Sequence, residues 1–168
     1  DGDEGLDEAL AARGYQRRDP TKFLQADIAT IDAPGELTVV PCAAPLACQR
    51  EIWRAAGVGT DRLAVLHRVI GPKAWLLGRL QDRLAAAAFV AVSNGVAMMH
   101  ALEVCAETRR CGVGAQVTRG AAMFGARHGA SSLAVAVTEA NDAALRLYAR
   151  LGLSPAGGYH YRRARSQG

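Results

Sequence analysis

Arg109-Arg110-Cys111-Gly112-Val113-Gly114-Ala115 follows an apolar, alternating segment, Val96 to Cys105, and opens a helix-periodic one, Gly112 to His128. The order dictates strand, glycine loop, helix. Gly112 and Gly114 lack Cβ atoms, so the backbone there can bring N–H groups close to a bulky anion. The helix that follows contains no Asp or Glu. Two arginines therefore stand at the positive end of a helix dipole, where a free helix favours carboxylates. A polyanionic ligand would supply the missing negative charge.

Upstream, residues 6 to 13 read as a short helix closed by Gly14, followed by a strand from Lys22 to Ile31. Asp32-Ala33-Pro34-Gly35 is turn chemistry and a candidate boundary. Then come a strand (Leu37 to Pro41) and two helices, Pro45 to Ala56 and Thr60 to Ile70, with Thr60 and Asp61 as candidate caps. Trp75 to Leu80 and Leu84 to Val92 read as strands joined at Gln81-Asp82-Arg83. Ser93-Asn94-Gly95 is a hairpin turn into Val96 to Cys105. Downstream lie a strand at Leu133 to Val137, a helix at Asp142 to Leu151 and a last strand near Tyr159 to Arg163. Hairpins followed by a βαβ crossover predict an α/β fold: a mixed sheet with helices on both faces.

At 168 residues, half of them hydrophobic and 21% charged, the chain suits one core-bearing domain. Lys22 and Lys73 are its only lysines, so arginine carries the net charge of +4. The basic residues are spread out and not interleaved with aromatics, which argues against nucleic-acid binding. No apolar run reaches membrane-span length, and no signal segment leads the chain, so no membrane contact and a cytoplasmic location are expected. The opening Asp1-Gly2-Asp3-Glu4, without Met, suggests a fragment. Cys42, Cys48, Cys105 and Cys111 fit no zinc spacing; reduced thiols and no metal are expected.

Arg109-x-x-Gly112-x-Gly114 after a Leu-x-Val strand resembles the acyl-CoA motif of the GNAT N-acetyltransferase superfamily. Asn141-Asp142-Ala143-Ala144-Leu145-Arg146-Leu147-Tyr148-Ala149-Arg150-Leu151-Gly152-Leu153 is similar to that family's N-x-x-A-x-x-x-Y-x-x-x-G-F segment, with Leu153 in place of Phe. The closing Tyr159-His160-Tyr161-Arg162 resembles an ending found in one bacterial branch. The resemblance covers about residues 36 to 165 and implies a GNAT domain over 36 to 168, with residues 1 to 35 as an N-terminal extension. Leu10 to Tyr15 echoes Tyr148 to Leu153, a helix end, a Gly and an apolar residue. That extension is either the tail of a degenerate N-terminal GNAT half or an ordinary helix closed by Gly.

What the resemblance implies is transfer of an acetyl group from acetyl-CoA to a primary amine of a small molecule, amino acid or protein, by direct attack in a ternary complex. The pyrophosphate would lie on Arg109, Arg110, Cys111, Gly112, Val113, Gly114 and Ala115. Leu102 and Val104 would pair with the pantetheine amides, their strand splaying from Leu133 to Val137. Asn141 and Ala144 would contact the cofactor. Tyr148 is the candidate general acid for the leaving thiol. Glu103, alternating with Leu102 and Val104, would face the acceptor as candidate base, and His100 would lie on the other face of that strand. The alternative is an acyl-CoA-binding sensor that no longer catalyses. The acceptor is not legible, and oligomeric state stays open, with a homodimer among the assemblies allowed.

Overall fold

Turn chemistry fixes the centre of the molecule. Asn94 and Gly95 both take left-handed φ, 48° and 77°, as do Gln81 and Asp82, 46° and 61°. These are the requirements of two-residue type I′ hairpins. The computed structural model describes residues 4–35 and 38–164. Along the chain run α1 (Glu4–Ala12), β1 (Gln16–Asp27), β2 (Thr38–Cys42), α2 (Ala47–Ala55), α3 (Thr60–His67), β3 (Lys73–Leu80), β4 (Arg83–Ser93) and β5 (Val96–Val104). Then follow α4 (Val113–Arg127), β6 (Ser132–Thr138), α5 (Asp142–Arg150) and β7 (Ser154–Arg163). The expected mixed α/β architecture is borne out. One seven-stranded sheet has the order β2-β3-β4-β5-β6-β1-β7, antiparallel throughout except for the parallel pair β5–β6.

Two apolar clusters flank the sheet. Val113, Val117 and Ala121 of α4 and Tyr148 of α5 pack with Leu76, Ala86, Ala88, Val90, Ala97 and Met99. Trp53 of α2 and Leu66 of α3 pack on the other face, with Trp75, Ala87, Phe89 and Ala91. Ala85 to Ala88 are all fully buried, and their small side chains let helices approach both faces of β4. Among the described residues no helix is long and apolar enough to cross a membrane.

The strand expected from Lys22 to Ile31 instead spans Gln16–Asp27. Its C-terminal end is cut short because Asp27 caps a 3-10 turn, accepting from the Ala29 N–H at 2.9 Å. Its start lies earlier because Gln16 to Arg18 pair with Arg163 to Tyr161 of β7; β6 joins on the other side from Thr21. Pro20 sits at a bulge beside Asp19, whose φ is 47°, where a missing N–H is tolerated. β2 is described from Thr38; Leu37 lies outside the described residues, as do residues 165–168. Thr60 and Asp61 lie inside α3 instead of capping it, and Gly59 holds the cap position without a side-chain bond. β7 begins at Ser154, before the expected Tyr159, since pairing to β1 overrides the weak strand propensity of Pro155, Gly157 and Gly158.

The echo between the two helix ends has a geometric counterpart. Gly14 N–H donates to Ala11 and Tyr15 N–H to Leu10; Gly152 N–H donates to Ala149 and Leu153 N–H to Tyr148. Each closing glycine is left-handed, at 80° and 84°. The two units then feed neighbouring antiparallel strands, β1 and β7. α1 is held to β7 by Asp7, whose carboxylate accepts from Arg162 Nε and Nη2 at 2.6 and 2.7 Å and lies 2.6 Å from His160 Nε2.

Arg162 holds the Asp7 carboxyl well below the usual range, with His160 adding to the effect and partial burial opposing it. A depressed folded pKa contributes stability that is present above the unfolded value near ~3.9 and is lost as pH falls through the folded one. The urea midpoint should therefore decline below about pH 4, and Asp7→Asn should flatten that decline while lowering the neutral-pH midpoint. An unchanged acid slope in Asp7→Asn would remove the clamp from the stability account.

Candidate active site

The parallel pairing of β5 with β6 runs from Val96↔Ser132 to Met99↔Val135 and stops there. Beyond it β5 leaves its neighbour. The cause is local. Ala101 has φ 50°, and the β4 register jumps from Phe89↔His100 to Ala87↔Glu103, so a bulge inserts a residue into β5. Cys105 N–H donates to Ala85 O on the β4 side. By alternation the N–H and C=O of Val104 point to the opposite, open edge.

That open edge forms one wall of a cavity of about 780 Å³, which also involves the start of α4 and the inner face of α5. Leu102, Val104, Arg109, Arg110, Gly112, Val113, Gly114, Ala115, Ala144 and Tyr148 line it, so the structure brings these predicted residues together. Gly112 is left-handed at φ 76° and caps α4 with no side-chain bond; Arg110 is left-handed too, at 63°. Apart from Arg109 and Gln116 at its flanks, no N–H of this loop and first helical turn donates to backbone among the described residues. Successive free amides with alternating handedness make an anion-binding concavity. A Cβ on Gly114 would come within 3.1 Å of Leu147 and 3.8 Å of Val104, so the loop sits tightly against both neighbouring walls.

Two predicted cofactor residues lie elsewhere, and Glu103, the candidate base, does not line the cavity either. Cys111 is exposed and turned back toward the Arg109 carbonyl, 3.5 Å away. Asn141 caps α5, accepting from Ala144 N at 3.0 Å, and does not line the cavity. Arg109 Nε reaches the Val104 carbonyl at 3.4 Å. Sequence reading missed Thr108, Ala143, Arg146, Leu147 and Arg150. The last four form one helical stripe, at i, i+3, i+4 and i+7 from Ala143, beside the stripe that carries Ala144 and Tyr148. The lining thus holds four arginines and no carboxylate.

Tyr148 is 6% exposed. Burial, with the Glu103 carboxylate adding to it, pushes its phenol up to about 12. Glu103 is half-buried; burial raises its pKa, against the opposing charges of Arg109 and Arg62. The alternation expected along β5 fails here. Phe89 and Ala87, the partners of His100 and Glu103, both belong to the α2–α3 cluster, so His100 and Glu103 share one face. The bulge reverses the parity of everything beyond it. Burial lowers the His100 pKa, and Arg62 lowers it further.

Among known proteins, residues 48–153 match the model of the acetyltransferase (GNAT) family. No curated protein matches the chain. A GCN5-related N-acetyltransferase from Kribbella flavida shares 23% identity and a TM-score of 0.73, over 97% of this chain and 65% of that one. A GCN5-related N-acetyltransferase from Sphaerobacter thermophilus aligns at 16% identity and TM-score 0.68, over 95% and 55%. A GNAT family acetyltransferase from Elizabethkingia anophelis, solved with acetyl-CoA bound, aligns at 11% and 0.57, over 68% and 73%. The chain thus spans about two thirds or less of the first two proteins' length. At these identities the likeness shows the fold, and the matched family model, joined to the glycine loop and the splayed strand, places this chain in the GNAT acetyltransferase family.

Proposed function

We propose that this chain moves the acetyl group of acetyl-CoA to a primary amine by direct attack in a ternary complex. One observation carries the reading: a carboxylate-free cavity with four arginines and free loop amides adjoins the open edge of β5, with Tyr148 also on its lining. The residues present fit acetyl-CoA. The amides of Arg110 to Ala115 would hold the pyrophosphate, and the arginines would supply the remaining countercharge. Val104 N–H and C=O, turned outward from the sheet, would pair with the pantetheine arm. An N–H near Val104 would also stabilise charge on the thioester oxygen as the amine adds.

At about 12 the Tyr148 phenol stays neutral at any working pH. A leaving thiol near ~8.5 lies some 3–4 units lower, so full proton transfer from Tyr148 would cost roughly 5 kcal/mol. Hydrogen-bond donation to the developing thiolate is therefore its stronger role. Glu103, on the opposite face, would accept the ammonium proton directly or through water; burial raises its basicity.

Acetyl-CoA at 100 times its Kd should stabilise the fold by about 2.7 kcal/mol. For a chain of this size that is a Tm increase of roughly 5–10 °C. No shift at millimolar acetyl-CoA would overturn the reading. CoA release over a panel of amines and peptides then separates the enzyme from a silent acyl-CoA sensor, which would show the Tm shift and no release.

A further inference from the structure

Trp53 is fully buried in the α2–α3 core, yet its indole is not merely filling space. Its Nε1–H donates to the carbonyl of Ala101 at 2.8 Å, the residue whose left-handed φ of 50° makes the β5 bulge. A left-handed backbone is unfavourable for alanine and needs outside support. The indole ring is itself held by Trp75, at 5.4 Å between ring centroids, and Trp75 by Phe89 at 4.8 Å. Phe89 is the partner of His100 immediately before the register jump. A rigid aromatic stack on the acceptor side of the sheet thus reaches the one irregular point of β5.

Resting on the proposed activity, we infer that Trp53 is a positioning residue, whose indole N–H fixes the Ala101 bulge and thereby sets both functional consequences of that bulge. One consequence is the departure of Leu102 to Val104 from β6, which frees the edge that would bind acetyl-CoA. The other is the parity reversal that brings Glu103 onto the face of His100 and α3. Trp53 touches neither ligand site. Without its hydrogen bond, residue 101 gains by returning to extended backbone, the register closes by one residue, and Glu103 rotates away from the acceptor side.

The test is a cycle of Trp53→Phe, Ala101→Gly and the double variant. Trp53→Phe keeps an aromatic ring and removes the donor; it should lower kcat/KM at least tenfold and move the acid limb of its pH profile, because Glu103 changes surroundings. Ala101→Gly should stay within twofold of wild type. The double variant should regain most of the loss, since glycine holds a left-handed φ unaided. An additive loss in the double variant overturns the inference, because removing the Cβ of residue 101 cannot mend a defect of core volume. If Trp53→Phe alone does not fold, a folded, active double variant supports the inference and an unfolded one overturns it. The ¹³Cα and ¹³Cβ shifts of residue 101 read its backbone conformation independently of turnover. Left-handed values that persist in Trp53→Phe sink the inference even where wild-type activity is found; absent wild-type activity sinks the proposed function and leaves this readout intact.

Discussion

Tyr148→Phe should leave acetyl-CoA affinity unchanged and lower kcat roughly 10- to 100-fold, the worth of one hydrogen bond to a developing charge. The effect belongs to kcat because the thiolate exists only as the thioester bond breaks; the hydroxyl has little to grip in the ground state. Stability should barely change. The pKa of Tyr148 is set by burial and by Glu103, with no hydrogen bond contributing, so removing the hydroxyl orphans no partner, and the ring keeps its place in the core under α5. The pH profile is a second check. With the phenol at about 12, Tyr148 should impose no basic limb below about pH 11. Initial rates of CoA release at saturating acetyl-CoA, with calorimetric Kd values, measure both. A kcat equal to wild type would take Tyr148 out of the chemistry.

Features written in short-range chemistry were legible in the sequence. Asn94-Gly95 announces a hairpin because both residues tolerate the φ that turn demands, and Asp82 gives the same signal at the other turn. The glycine loop and α5 were placed to within a residue or two, and ten of the predicted cofactor residues line one cavity. Three features were not legible, each for a reason. The Ala101 bulge has no local marker; alanine is a poor left-handed residue, and its stabilising donor is 48 residues away. Strict alternation therefore put His100 on the wrong face relative to Glu103. The polar half of β1, Gln16 to Thr21, has no strand period of its own and becomes a strand by pairing with β7, joined by β6 only from Thr21. The spacing of Arg146 and Arg150 puts them on one helix stripe, but that this stripe lines the cavity depends on the position of α5 relative to the loop.

Removing residues 1–31 should abolish folding, the largest effect expected for any change to this chain. β1 is an interior strand: Thr21 to Asp27 register with Thr138 to Ser132 of β6, while Gln16 to Gln25 register with Arg163 to Ser154 of β7. Without it β7 has no partner in the sheet order, and the long edge of β6 is bare from Ser132 to Thr138. Leu24 and Ala26, both buried, leave the core, a loss of about 3 kcal/mol in apolar burial. Some seven backbone ladder partners on β6 lose their bonds as well, at roughly 1 kcal/mol each. The sum reaches the whole stability of an ordinary domain, about 5–15 kcal/mol. The Asp7 clamp would go too, leaving Arg162 half-buried without its carboxylate. The chain of residues 32–168 should therefore lack a cooperative melt and near-UV circular dichroism, whereas Asp7→Asn in the full chain should retain both at a lower Tm. Adding residues 1–31 as a separate peptide should restore the melt in proportion to peptide concentration, since β1 would then be a ligand of the folded state. A cooperative melt of 32–168 alone would make the segment a separable extension, and would require β6 and β7 to pair with each other.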